Sequence, residues 1–365
     1  MSTPKISVIM ATYNHEPFVA KAIESVLCQK GVDFEFLIID DGSKDNTREV
    51  IASFKDKRIK FFPNEINQGA CVVTNFLIDL AKGEYIALLN SDDYWEGDDK
   101  LLKQANYLDK NKNIGACFGQ AQFIDKNNKP IASNELSFGD VFKKENRSKG
   151  KWLRYFFEFG NCICHPSMLI RRECYKTLGA YNNRLRQLPD LDMWVRLVKK
   201  WDIYIFDEVF INFRIMPGEN ASSQTTKNSI RTLNEHYLIA CGMFDDVQAD
   251  DLVDGFADLM KHPDKLAFPN YQKIESTLLL FFESRWLGRP YNMAGIPKIA
   301  SLLHEKETRD ILKNSYQIDD HWFHSTMAEV DVLLPKFVAD VQTSKGRMIS
   351  LLKKINPVKY ITKLR

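Results

Sequence analysis

The chain has 365 residues, its 50 Lys and Arg nearly balance its 48 Asp and Glu, and 44% of its residues are hydrophobic. That length buries a sizeable core, as two domains or as one domain with a large appendage. The balanced charge gives no general case for a nucleic-acid or acidic partner, and the apolar content excludes wholesale disorder.

Ile6 to Met10 is a β-branched apolar run that predicts a strand. The turn-rich Ala11 to Pro17 follows, and then helical spacing at Phe18, Ala22, Ile23, Val26 and Leu27. A second such unit has Phe34 to Ile39 as strand, Asp40-Asp41-Gly42-Ser43 as loop and a helix from about Asn46 to Phe54 behind an Asp45 cap. Ile59 to Phe62 makes a third strand, and a helix between Gly69 and Leu80 leads to a fourth at Tyr85 to Leu89. Strands alternating with helices through short loops predict a mostly parallel α/β sheet of Rossmann-like type, with strand C-termini on one rim. Tyr13, Asp40, Asp41, Asn67, Asp92 and Asp93 all fall just past such ends.

The fourth strand is apolar along its length and stops at Asp92 and Asp93. Either acid alone could cap the helix expected near Lys100. Two hard oxygen ligands at a sheet rim instead suit Mg²⁺ or Mn²⁺ holding a phosphate. Ile114 to Phe118 predicts another strand, and residues 126–150 lack periodicity and read as a flexible connection or lid. The aromatic cluster Trp152, Tyr155, Phe156, Phe157 and Phe159 reads as packing. Cys162-Ile163-Cys164-His165 lacks the second Cys/His cluster a zinc site needs. Pro189-Asp190-Leu191-Asp192-Met193-Trp194 opens a helix whose first-turn acids either favour the helix dipole or poise a general base. Ile203 to Phe206 and Val209 to Phe213 predict two closing strands.

Beyond Met216 the pattern is helical, with helices expected at 229–243, 250–260, 271–286, 299–312 and 324–334. Residues 345–365 carry seven basic residues and no acid, with Met348, Leu351, Leu352 and Ile355 on one helical face. That pattern fits either an anionic membrane surface or a solvated basic tail. No apolar leader precedes the first strand, no window is long enough to span a bilayer, and seven irregularly spaced cysteines favour a reduced setting. The expected location is cytoplasmic, with the tail as a possible tether to the cytoplasmic face of a membrane.

Five segments together resemble the family-two glycosyltransferases of the GT-A fold: ISVIMATYN (6–14), LIIDDGS (37–43), Asn67-Gln68-Gly69, GEYIALLNSDDYW (83–95) and PDLDMWVRL (189–197). The resemblance covers roughly the first 215 residues. It implies a GT-A catalytic domain at 1–215, with a helical region at 216–344 and the basic tail at 345–365 as the remainder. It implies inverting transfer from a nucleotide diphosphate sugar, a UDP-sugar above all, to a saccharide or lipid-linked saccharide hydroxyl, as in surface polysaccharide synthesis. Thr12, Tyr13, Asn14, Asp41, Asn67, Gly69, Asn90, Ser91 and Asp92 would then bind the donor, with Tyr13 on the base and Asp41 at its edge. Asp92 and Asp93 would hold the metal, and Asp190 would be the catalytic base with Asp192 as its substitute. His165 falls in a region that often lines the acceptor side. Asn90 stands where the family often has Asp, in a DXD-like motif, and Pro189 replaces the family's usual Glu. A nucleotidyltransferase would want a glycine-rich phosphate loop where Ala11 to His15 stands, and a non-catalytic nucleotide-sugar binder would accommodate both departures.

Overall fold

A computed structural model describes residues 3–216, 225–282 and 288–329. The first part alternates strand and helix: β1 (Ile6–Thr12), α1 (Glu16–Leu27), β2 (Phe34–Asp40), α2 (Thr47–Ser53), β3 (Ile59–Pro63), α3 (Ala70–Leu80) and β4 (Tyr85–Leu88). β1 pairs in parallel with β2 and β4, and β2 with β3. Both faces of these strands are covered, which is why they read as continuous apolar runs. Ile9, Leu37, Ile39 and Ile86 face one core with Leu77 of α3, and Val8, Met10, Phe36 and Ala87 face the other with Ile23 of α1.

The chain continues through β5 (Tyr94–Trp95), α4 (Lys100–Lys110), β6 (Ile114–Ile124), α5 (Lys149–Phe159), β7 (Leu169–Arg171), α6 (Arg172–Leu178), α7 (Pro189–Val198) and β8 (Asp202–Arg214). One eight-stranded sheet results, in the order β3-β2-β1-β4-β7-β6-β8-β5. The expectation that strands deliver their C-termini to a common rim holds for β1, β2, β3, β4, β6 and β8. It fails at β7, antiparallel to β4 and β6, and at β5, antiparallel to β8. The chain enters β7 from the rim, so the turn before this strand, His165–Ser167, lies there.

The two expected closing strands are one strand, β8, whose register against β6 shifts near exposed Asp207 and Glu208. Residues 126–150, expected to be a flexible connection, are anchored. Pro130 bridges to Ile124, Phe138 and Phe142 pack on Phe123, and Asn146 exchanges both amide hydrogen bonds with the backbone of Ile205.

The remaining described elements are α8 (Thr226–Gly242), α9 (Ala249–Phe256), α10 (Pro269–Leu279), α11 (Gly288–His304), α12 (Lys306–Ile311) and α13 (Asp320–Glu329). Ile239, Met243, Leu252, Phe256 and Tyr291 join the core that α5 and α7 share with the sheet, so that core runs on across residue 215. Ile274, Ile299, Leu303, Leu312 and Tyr316 form a smaller separate core. No described helix is long and apolar enough to cross a membrane. Trp286, the segment 330–334 and the basic tail 345–365 lie outside the described residues.

Candidate active site

Three rim loops are stitched into one wall. After β1, the Asn14 backbone N–H donates to Ser43 Oγ (2.9 Å) and its side-chain oxygen accepts from Lys44 N (2.8 Å), with Asn14 at φ 53°. The His15 ring nitrogen lies 2.7 Å from Ser91 Oγ, tying this loop to the one after β4. Tyr13 is 42% exposed beside Thr12, whose buried hydroxyl has no partner among the described residues. Asp40, expected at the ligand rim, is instead structural: it accepts from Ser43 and from Arg48 Nε (2.6 Å) with no exposed surface. Asp41 accepts from the backbone N–H groups of Gln68 and Gly69, both 2.8 Å, and from Asn64 Nδ2 at 3.2 Å. It thereby shapes the turn presenting Asn67 and Gly69. Gly42, at φ +83°, allows this approach, since a Cβ there would meet Asn67 N at 2.8 Å.

Asp92 and Asp93 were expected to act together, and the structure separates them. Asp93 Oδ1 accepts from Arg214 N (2.7 Å) and Oδ2 from Asn90 Nδ2 (3.1 Å), and the residue is 2% exposed. Burial first, then the neighbouring Asp92 charge, pushes its pKa well above the usual carboxylate range. Buried and so engaged, Asp93 supports the loop and offers a metal less than its neighbour does. The Asp92 carboxylate is half-buried and makes no hydrogen bond among the described residues. Arg214, which lies one residue past the last strand expected from the sequence, holds this loop. Its Nε donates to Asp92 O, its Nη1 to Asp125 O and its Nη2 to Asn128 Oδ1, at 2.7, 2.7 and 2.8 Å. The described residues contain no cluster of three or more His, Cys, Asp or Glu suited to a metal. One free carboxylate nevertheless fits Mg²⁺ or Mn²⁺, which commonly bind through one or two carboxylates together with substrate phosphates and water.

Asp190 lies in the first turn of α7 behind Pro189, a residue well suited to that turn. Its Oδ1 accepts from Leu191 N (2.8 Å) and its Oδ2 from Asn161 Nδ2 (2.5 Å). Burial raises its pKa to about 6, these two bonds oppose the rise, and the Glu235 charge adds to it. The segment leading to Asp190 touches the start of α3, where Cys71 Sγ lies 3.4 Å from Leu185 O, which places Asp190 on the rim side of the sheet. Asp192, the substitute base, is consumed by Arg196, paired at 2.8 Å, which also donates to the carbonyls of Leu178, Gly179 and Ala180. His165 is hydrogen-bonded and half-buried: its Nε2 lies 2.7 Å from Tyr181 OH, its ring edges Trp194, and desolvation takes its pKa to about 4. Cys162 and Cys164 are buried free thiols.

Sequence reading also missed Glu235 of α8, whose buried carboxylate accepts from the backbone N–H groups of Arg186 (2.9 Å), Gln187 (2.8 Å) and Leu188 (2.8 Å). Beside it His236 is 3% exposed, its Nδ1 has no hydrogen-bond partner among the described residues, and its ring lies under Gly160, the residue before Asn161. α8 thus lies against the segments that lead into both partners of the Asn161–Asp190 hydrogen bond.

Residues 7–179 match the sequence model described as Glycosyl transferase family 2. An uncharacterized glycosyltransferase of Methanocaldococcus jannaschii is 33% identical over 247 residues, covering 65% of this chain and 81% of the relative. The Escherichia coli UDP-Glc:alpha-D-GlcNAc-diphosphoundecaprenol beta-1,3-glucosyltransferase WfgD is 37% identical over 141 residues, 38% of this chain and 55% of that one. Among solved structures, S. aureus TarS 1-349 in complex with UDP-GlcNAc superposes with a TM-score of 0.55 at 18% identity, covering 89% of this chain and 91% of that one. The mixed sheet with its flanking helices has the GT-A-like fold seen there. Family match, relatives and fold agree, and the chain belongs to glycosyl transferase family 2.

Proposed function

We propose that the protein transfers a sugar from a UDP-sugar to a saccharide hydroxyl with inversion at the anomeric carbon, as a step in building a surface polysaccharide or lipopolysaccharide. The observation that carries this reading is a division of labour between two carboxylates on the rim side of the sheet. Asp92 has no protein hydrogen-bond partner among the described residues, whereas Asp190 is held by Asn161 with its pKa raised to about 6. A group with that pKa is ionised at neutral pH and still basic enough to take a proton from an attacking hydroxyl. Asp192 and Glu235 are fully engaged by Arg196 and by backbone N–H groups. Of these three acids Asp190 is the one left to take the acceptor proton, which is the role a single, inverting displacement requires.

In this reading the wall of Thr12, Tyr13, Asn14, Asp41, Asn67 and Gly69 receives the nucleoside, with the exposed Tyr13 ring offering a face to the base. Asn90 and Ser91 set the loop from which Asp92 would hold Mg²⁺ or Mn²⁺ at the diphosphate. When bound, such an ion neutralises charge on the leaving nucleoside diphosphate. The naming of UDP-Glc for WfgD and of UDP-GlcNAc for the TarS complex supports a uridine donor.

UDP release from a panel of UDP-sugars should rise with Mn²⁺ or Mg²⁺, and Asp92→Asn should raise the half-saturating cation concentration at least about tenfold, the effect typical of a lost ligand-shell group. Cation-independent turnover, or a variant with the wild-type cation requirement, would remove the metal assignment. The basic segment 345–365 is proposed to tether the enzyme to an anionic cytoplasmic membrane face, where a lipid-linked saccharide presents its hydroxyl. Co-sedimentation with phosphatidylglycerol vesicles should be lost on truncation before Lys345; equal binding of both chains would refute the tether.

A further inference from the structure

A cavity of about 740 Å³ opens between the outer half of β6, the middle of β8 and the segment 131–146, away from the donor wall. Gln120, Gln122, Ser133, Asn146, Asp207 and Val209 are among its lining residues. Its position follows from strand register. Ala87 of β4 pairs with Leu169 of β7, which pairs with Cys117 of β6. Gln120 and Gln122 therefore lie as many residues beyond Cys117 as Asn90 and Asp92 lie beyond Ala87. The cavity opens near the height of the Asp92 loop and is displaced by two strands, roughly 10 Å at the usual spacing. The nucleoside wall lies on the opposite side, at β1, β2 and β3. The β4 loop separates the two, so a molecule reaching the reaction centre from the cavity would approach opposite the nucleoside.

The lining chemistry narrows what fits. The Gln122 amide oxygen, the Ser133 hydroxyl and the Glu145 and Asp207 carboxylates offer polar groups that sugar hydroxyls match, beside the apolar Phe123, Ile205 and Val209, whereas the Asn146 amide and the Gln122 NH2 are bonded within the fold. The Gln120 amide oxygen is buried with no hydrogen-bond partner among the described residues, an acceptor that the fold leaves unsatisfied. The two lysines of the lining reach the Asp140 carboxylate (Lys143, 3.2 Å) and the Asp140 carbonyl (Lys144, 2.8 Å), and the Glu145 and Asp207 carboxylates of the same lining disfavour an anion. A wholly apolar occupant would leave the Gln120 oxygen unsatisfied and would cover the Glu145 and Asp207 carboxylates.

We infer that this cavity is a saccharide subsite, which binds an uncharged sugar of the acceptor one or two residues away from the reacting hydroxyl. The inference rests on the glycosyl-transfer reading and gives it a length requirement: the preferred acceptor is a disaccharide or longer. Gln120 contributes an acceptor oxygen to the bound sugar, and Val209, 42% exposed, borders the opening.

The test uses the full chain on an array of immobilised mono-, di- and trisaccharides in the presence of UDP and Mn²⁺. Retention of di- or trisaccharides over their monosaccharide components is expected, with a loss of tenfold or more in Gln120→Met and in Val209→Trp, while the thermal shift produced by UDP stays at its wild-type value. Retention unchanged in both variants, retention of monosaccharides alone, or no retained glycan would overturn the subsite. If UDP is released from a UDP-sugar but the variants retain glycans normally, only the subsite fails; if no UDP-sugar is turned over, the transfer reading itself fails. Val209→Trp tests occupancy by bulk and Gln120→Met by removal of one oxygen, so a folding defect in one leaves the other decisive.

Discussion

Asp190→Asn is expected to lower kcat by about a thousandfold or more, within the range that a positioned general base contributes, while leaving UDP binding within a factor of two or so. The amide is nearly isosteric and its oxygen can still accept from Leu191 N, while its NH2 group takes the place of the oxygen that accepted from Asn161 Nδ2, so the first bond survives and the second bond and the basicity do not. The same variant makes an opposite prediction for stability. In the fold Asp190 has a pKa of about 6 against an ordinary 3.8, raised chiefly by burial, so the fold disfavours its ionised form. That penalty is absent below pH 3.8, grows as pH rises and is complete above pH 6. Asp190→Asn should therefore stabilise the protein by about 1–3 kcal/mol at neutral pH, one pKa unit being worth about 1.4 kcal/mol. The gain should vanish near pH 4. An inactive protein that melts higher is hard to attribute to misfolding. Wild-type kcat should fall as pH drops through about 6, and Asp192→Asn should keep most of it, since Asp192 serves Arg196. Full activity in Asp190→Asn, or its loss in Asp192→Asn alone, would move the base elsewhere.

What the chain discloses on its own is uneven, for physical reasons. β1, β2 and β4 are covered on both faces, so burial alone writes them into the sequence as unbroken apolar runs, and the polar loops at their ends follow. The reversal of β7 is invisible, because Leu169–Arg171 is three residues long and its direction is set by pairing with strands far away in the chain. Asp92 and Asp93 look equivalent in sequence; the distinction is made by Arg214, more than a hundred residues later. Two misses did have local signals. Asp192 and Arg196 stand four apart on a helix, the spacing of an ion pair. Phe138 and Phe142 interrupt the polar 126–150 segment and mark its anchorage. Glu235 had none, since its partners are backbone N–H groups and any amphipathic helix carries such an acid.

Glu235 is nonetheless where the helical region should matter most to the chemistry. Its Oε1 accepts from Arg186 N and its Oε2 from both Gln187 N and Leu188 N, immediately before Pro189 and Asp190. Glu235→Ala removes both acceptor oxygens and with them all three hydrogen bonds, and should cost about 3 kcal/mol, tempered by partial hydration of the freed N–H groups. Asp190 should then drift from its held position. A misplacement of about 1 Å can cost roughly a hundredfold in rate, so kcat of the folded fraction should drop on that scale. Glu235→Gln separates position from charge. Its amide oxygen can still accept from the Gln187 and Leu188 N–H groups, leaving only Arg186 N facing a donor, so the loss of stability should be the smaller of the two. The Glu235 charge is one of the influences raising the Asp190 pKa. Its removal should shift the acidic limb of the kcat profile to lower pH, because Asp190 then stays ionised in more acidic solution. A support that acted by packing alone would leave that limb where it is. Wild-type kcat in Glu235→Ala together with an unmoved limb in Glu235→Gln would show that α8 braces the fold without positioning the base.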